Sequence, residues 1–229
     1  MTDGTAPIKY VFLDVERFTD NRSVEAQAEI VSVLNGIVLS ALDGLKVTPG
    51  SRILLPTGDG ICIALLHVAD DLDIHLRLAL VILSHLHDYN AGQSSEQRRF
   101  RLRIGINQNI DNLVTDINAR PNVAGAGVNV AQRIMTIADG NQIMVAATVY
   151  DNLRYRERYT TAFREYSATV KHDVRLAVYQ YIGVSEGLDT QVPRAFSPDV
   201  IQATLRQYAQ LAPRVALVWF VLRRILFPF

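Results

Sequence analysis

Cysteine is almost missing: Cys62 stands alone in 229 residues, which excludes an internal disulfide and any thiolate metal cluster. Its place between Ile61 and Ile63 suits a small buried hydrophobe better than a nucleophile. An excess of either charge is missing too, with Lys plus Arg and Asp plus Glu at 23 each, so no nucleic-acid partner is expected and any polyanion must be held locally. The start Met1-Thr-Asp-Gly-Thr-Ala-Pro7 has no secretory pattern, and a cytoplasmic enzyme fits best. The apolar tail run Val215 to Leu222 falls short of the ~20 residues that a spanning helix needs, and Arg223 and Arg224 interrupt it before Ile225 to Phe229. His67, His75, His85 and His87 gather along one stretch, but His85 and His87 are two apart and face different ways on a helix, so zinc is not expected.

What is present is a mixed succession of α and β patterns, and its 49% hydrophobic content is ample for a packed core. Residues 8–15 read as a strand, and Ser23 to Ala41 as a helix with Val24, Ile30, Val31, Leu34, Ile37, Val38 and Ala41 at helical spacing. Arg52–Leu55 and Ile61–His67 read as strands flanking Gly58-Asp59-Gly60, a hairpin whose turn presents Asp59. Asp70–Asn90 reads as a second helix. Phe100–Ile106 alternates as a half-buried strand, Val128–Ala138 reads as a third helix, Gln142–Ala146 as a strand, Ala147–Asn152 as a short helix and Ser167–Ile182 as a terminal strand pair or one interrupted strand. The order is βαββαβ followed by αβ elements, an α+β, ferredoxin-like core with an antiparallel sheet and helices on one face. Three parts are expected: a catalytic domain over 1–184, a linker over 185–197 rich in turn formers, and a helical apolar tail over 198–229.

Two carboxylates occupy awkward places, Asp14 inside the apolar run Tyr10-Val-Phe-Leu-Asp-Val15 and Asp59 in Thr57-Gly-Asp-Gly60. Brought together, they make a cage of hard oxygen ligands for magnesium or manganese. Paired metals of this kind align a polyphosphate and neutralise charge during transfer at phosphorus. Plainer roles stand beside this reading: Asp14 also suits a strand-end carboxylate capping the next helix, and Gly58-Asp59-Gly60 is an ordinary hairpin signal.

The segments Phe12-Leu-Asp-Val-Glu-Arg-Phe-Thr19, Thr57-Gly-Asp-Gly60, Leu102-Arg-Ile-Gly-Ile106, Gly127-Val-Asn-Val-Ala-Gln-Arg133 and Val170-Lys171, in this order over residues 8–183, resemble the catalytic domain of class III nucleotidyl cyclases. The resemblance implies that Asp14, Asp59 and the Val15 carbonyl hold two divalent cations, manganese or magnesium. It also implies that the backbone from Val15 through Phe18 to Thr19 receives a triphosphate at a strand-to-helix junction. Asn129 and Arg133, at i and i+4 on one helical face, match the pair that orients the ribose and stabilises the phosphate in the transition state. Taken without the surrounding motif, Arg133 is a solvated charge on an exposed helix. Lys171 aligns with a lysine that approaches the triphosphate, although Asp173 stands where many members carry another base. The family builds each site from two protomers, so a head-to-tail homodimer is implied, with a monomer inactive.

Adenylate cyclases carry a lysine and an aspartate or threonine where this chain has Leu55 and Asn122, and the glutamate with cysteine or serine expected for guanine is also absent. Pro56 leaves Arg52 as the basic candidate for a base edge; a guanidinium only donates hydrogen bonds, which favours uracil O2 and O4 over the amino group of cytosine. Arg52 reads equally as an edge-strand surface charge. The stretch Phe18-Thr-Asp-Asn-Arg-Ser-Val-Glu-Ala-Gln27 resembles the bacterial pyrimidine cyclases of the Pycsar antiphage system. That resemblance implies a phosphorus–oxygen lyase making cyclic UMP or cyclic CMP, whose product activates a separate effector protein in antiviral defence; we expect UTP to cyclic UMP, with CTP next and a purine third. Rival readings are a cyclase homology domain that only binds nucleotide, opposed by the intact Asp14, Asp59, Asn129 and Arg133 set, and a palm-type polymerase, which lacks the helix bearing Arg133. The apolar tail either packs on the domain or its dimer mate or makes a peripheral membrane contact through Trp219 and the two arginines.

Overall fold

Alternation along one strand organises the molecule. In β1 (Gly4–Val15), Val11, Leu13 and Val15 join one hydrophobic cluster and Ile8, Tyr10 and Phe12 another, because successive side chains leave a strand on opposite faces. The first cluster takes in α1 (Val24–Gly44), α2 (Ile74–Gly92) and α4 (Ala147–Leu153); the second takes in α3 (Ala126–Met135). The computed structural model describes residues 4–170 and 174–197 of the chain. The chain forms two units, Met1–Gln191 and Val192–Phe229, and the first carries all the elements named below. The expected helical tail over 198–229 and Lys171 lie outside the described residues.

Among the described residues eight strands form one sheet, in the order β2 (Arg52–Pro56), β3 (Gly60–Leu65), β1, β4 (Leu102–Thr115), β6 (Ile143–Ala146), β8 (Val174–Tyr181), β7 (Phe163–Val170), with β5 (Pro121–Ala124) paired to the end of β4. Every pairing is antiparallel except β4 with β6. The α+β reading with a mainly antiparallel sheet therefore holds. Helices on one face only do not: the α3 residues Ala131 and Met135 bury against Tyr10, Phe12 and Cys62 on the face opposite α1 and α2. The helix α1 starts where sequence placed it, with Ser23 as N-cap accepting the Ala26 N–H at 3.2 Å, a cap worth about 1 kcal/mol.

Two segments differ from expectation. Residues 107–115 carry β4 past Ile106, where the expected strand stops, and Asn107 and Asp111 on one face of this extension find partners on α3. Residues 185–191, expected as linker, are fastened to the sheet: Asp189 N–H donates to the Asn141 carbonyl at 2.9 Å, and Gln142 and Gln180 both donate to the Gln191 carbonyl.

A fully buried histidine sets an acid limit. His75 lies in the first turn of α2, and burial, followed by the Lys9 charge, lowers its pKa to about 3. Between that value and the ordinary pKa of about 6.5, the unfolded chain binds a proton that the folded protein refuses, so stability falls as pH drops through the window. The melting temperature of the wild type is therefore expected to fall more between about pH 7 and pH 4.5 than that of His75→Leu. Equal losses in both proteins would place the acid sensitivity elsewhere.

Candidate active site

The turn after β2 and the end of β1 bring the two carboxylates side by side. Gly60 pairs with Asp14 across β3 and β1, and the Val15 N–H donates to the Asp59 carbonyl at 3.3 Å. Two glycines permit this. Gly58 has φ +94°, and a Cβ on Gly60 would lie 2.2 Å from the Leu13 carbonyl oxygen. The Asp14 side chain is 15% exposed and ion-paired with Arg103, its neighbour in the β1–β4 register, whose Nε lies 3.1 Å from Oδ2. Burial is the main cause that raises the Asp14 pKa; hydrogen bonding and charge from Arg103 oppose it, and the Asp59 charge adds to it. A desolvated carboxylate beside a second one fits a divalent cation, which supplies the charge that burial and Asp59 make missing.

The turn from Glu16 to Asn21 lies beside this pair. Arg17 and Asn21 both adopt left-handed backbone, φ 53° and 54°. Of the amides expected to meet a triphosphate, those of Val15 and Glu16 are already bonded, the latter to the Arg101 carbonyl at 2.9 Å. The N–H groups of Arg17, Phe18 and Thr19 meet no protein acceptor among the described residues, so the anion-receptive stretch is shorter than sequence implied. It also belongs to the turn rather than to the helix, since α1 begins only at Val24. Phe18 packs against the main core and Thr19 is exposed. Arg22 holds the turn by donating to the carbonyls of Arg17, Gln97 (3.1 Å) and Arg99 (3.1 Å).

Asn129 is exposed on α3, its Nδ2 3.4 Å from the Gly125 carbonyl, and Arg133 stands half-buried in the last turn. Among the described residues no hydrogen bond or ion pair links either side chain to Asp14 or Asp59 in the same chain. Leu55 on β2 packs in the cluster that contains Val123, whereas Asn122, next to Val123 on β5, alternates to the other face and its Oδ1 accepts the Val123 N–H at 2.7 Å, so the two positions are not brought together within one chain. Arg52 does not join Leu55 either. Its guanidinium turns to Asp43 (3.4 Å) and the Val47 carbonyl (3.2 Å), and alternation along β2 sets it opposite Ile53 and Leu55. The expectation that Arg52 reads a base edge loses its geometric support for that reason.

Sequence reading missed Arg103 and Arg22. The register of β1 against β4 is what puts Arg103 on Asp14, and the pattern Leu102-Arg-Ile-Gly-Ile106 carried the only signal, a charge alternating with core positions.

Residues 3–182 match the family described as Adenylate and Guanylate cyclase catalytic domain. Solved structures share the fold. The guanylyl cyclase Cya2 superposes with a TM-score of 0.66 at 17% identity, covering 84% of this chain and 100% of that one. The adenylyl cyclase CyaB from P. aeruginosa gives 0.62 at 16%, covering 82% and 100%. The guanylate cyclase domain of RhGC from Catenaria anguillulae, in complex with GTP, gives 0.60 at 15%, covering 81% and 100%. No curated protein matches the sequence. With the family match extending over most of its length and the same fold in these cyclases, the chain belongs to the adenylate and guanylate cyclase catalytic domain family.

Proposed function

We propose that this cyclase domain converts a pyrimidine nucleoside triphosphate, UTP ahead of CTP, to the 3′,5′-cyclic monophosphate and pyrophosphate, at sites shared between two copies of the chain. The observation that carries the cyclisation reading is the pairing of Asp14 with Asp59 around the Val15 N–H bond, next to a turn with free amides. Two divalent cations, magnesium or manganese, held by Asp14, Asp59 and the Val15 carbonyl would offset charge on the attacking and leaving oxygens.

The chain's own groups supply the rest. The Arg17, Phe18 and Thr19 amides receive phosphate oxygens. Arg103, the ion-pair partner of Asp14, would be free to donate to phosphate oxygens were a cation to hold that carboxylate. Arg133 donates charge-assisted hydrogen bonds to the α-phosphate as the 3′-oxygen attacks and the bond to the β-phosphate bridge breaks, and Asn129 orients the ribose. Apart from Asp14 and Asp59, no side chain stands out as a base for the 3′ proton. Among the described residues neither Asn129 nor Arg133 bonds to Asp14 or Asp59 of its own chain, which favours delivery to a partner's site in a head-to-tail homodimer.

Base choice rests on replacement. Leu55 and Asn122 stand where adenylate cyclases carry lysine and an acidic or hydroxyl residue, so a purine loses its readers. The Asn122 amide offers one acceptor and two donors, a set that pairs with a pyrimidine edge. The resemblance of Phe18 to Gln27 to the Pycsar pyrimidine cyclases supports a pyrimidine substrate and adds a role in antiphage signalling through a separate effector; it covers UTP and CTP alike, and UTP is our choice between the two. Incubation of the purified protein with ATP, GTP, CTP and UTP in turn, with manganese and product identification by mass, tests the reading. Cyclic UMP as the main product is expected; a purine product would overturn the pyrimidine assignment, and no product from any would overturn catalysis.

A further inference from the structure

One face of β4 carries small or polar residues at every second position, Arg103, Gly105, Asn107, Asn109 and Asp111. Arg103 is engaged by Asp14, and the others serve α3. The helix lies directly on Gly105, where an added Cβ would come within 2.3 Å of the Ala131 carbonyl oxygen. Asn107 Nδ2 donates to the Gly127 carbonyl at 2.9 Å, and its Oδ1 accepts from Thr148 Oγ1 at 3.0 Å.

Asp111 is the unusual member. Its side chain is buried, 4% exposed, and no arginine, lysine or histidine pairs with it among the described residues. Its carboxylate accepts three bonds instead: from the Gly127 N–H at 2.9 Å, the Tyr10 hydroxyl at 2.7 Å and Asn109 Nδ2 at 2.7 Å. The Gly127 N–H belongs to the first turn of α3, whose amides have no partner inside the helix, and the cap residue Gly125 offers no side chain. A strand carboxylate thus does the work of the missing cap. The fit is close, since a Cβ on Gly127 would lie 2.3 Å from Asp111 Oδ2 and 2.5 Å from the Tyr10 ring. A buried carboxylate without a cation is costly, and its three bonds fix both the height and the rotation of α3. Each residue of slip along a helix moves its side chains about 1.5 Å and turns them ~100°.

We propose that Asp111 is a positioning residue, clamping the start of α3 so that Asn129 and Arg133 reach the partner protomer's site at a fixed height and angle. The proposal rests on the composite-site reading above, and complementation separates the two. Asp111→Asn alone is expected to lower kcat about 10- to 100-fold with KM nearly unchanged, the size of a small misplacement. Mixed with an Asp14→Asn chain it should recover to about a quarter of wild-type activity, because half the random dimers carry one intact site. Mixed with an Arg133→Ala chain it should show no gain over the two chains alone, since both lack a working α3. A general loss of folding would impair both mixtures equally.

Recovery with Arg133→Ala, or none with Asp14→Asn while Asp14→Asn and Arg133→Ala restore each other, overturns the role of Asp111. Failure of that last pair overturns the composite site itself, and the proposal with it. Should Asp111→Asn not fold, Gly127→Ala, whose Cβ pushes into the same clamp, is expected to fall in the same complementation class; full activity in that variant would also overturn the proposal.

Discussion

Asp59→Asn is expected to lower turnover about 1,000-fold or more, since the loss of one metal carboxylate removes several kcal/mol of charge stabilisation, and each 1.36 kcal/mol is about tenfold. Asp59 sits half-exposed in a hairpin turn, so the fold should not suffer. Asp14→Asn should be as damaging to catalysis yet behave differently in stability. Burial raises the folded Asp14 pKa above its unfolded value, so the fold disfavours the charge, and that penalty appears as pH rises through the folded pKa. At neutral pH the metal-free Asp14→Asn protein should melt no lower than wild type. Manganese, which binds only the folded pair, should raise the melting temperature of wild type and leave both variants unmoved. A manganese shift retained in either variant would place the cations elsewhere.

Arg133→Ala carries the second large effect. The loss of a charge-assisted donor aimed at the transition state costs about 100- to 1,000-fold in kcat. Since Arg133 makes no ion pair among the described residues, its removal should change stability by no more than about 1 kcal/mol. The split between kcat and stability separates a catalytic arginine from a solvated one: a variant with full turnover, or one that loses activity only by unfolding, would contradict the role. KM should change little, because the interaction strengthens only as charge develops.

How much of this could be read in the chain depends on what kind of contact carries it. Asp14 and Asp59 were legible because each breaks a local rule, a charge within an apolar strand and an acid flanked by glycines. The helical stripe of α1 was legible from local spacing alone. Arg103, Arg22 and Asp111 were not, because their partners lie 89, 77 and 16 residues away and appear only once the register of β1 and β4 and the seat of α3 are known. The run from Asn107 to Asn112 gave no strand signal, since Asn107 and Asp111 are polar residues buried against α3 while Ile110 is exposed. Arg52 misled in the opposite sense: sequence gave its charge but not its direction, and alternation along β2 sends it to Asp43.

Side chains of one protomer completing the site of another is the claim on which the chemistry depends, and mixing two dead chains tests it most directly. Asp59→Asn and Arg133→Ala proteins, each inactive alone, are combined at equal amounts, allowed to exchange subunits, and assayed for cyclic nucleotide. The account predicts activity returning to about a quarter of wild type, from heterodimers with one whole site. Continued silence after exchange has been verified would contradict it.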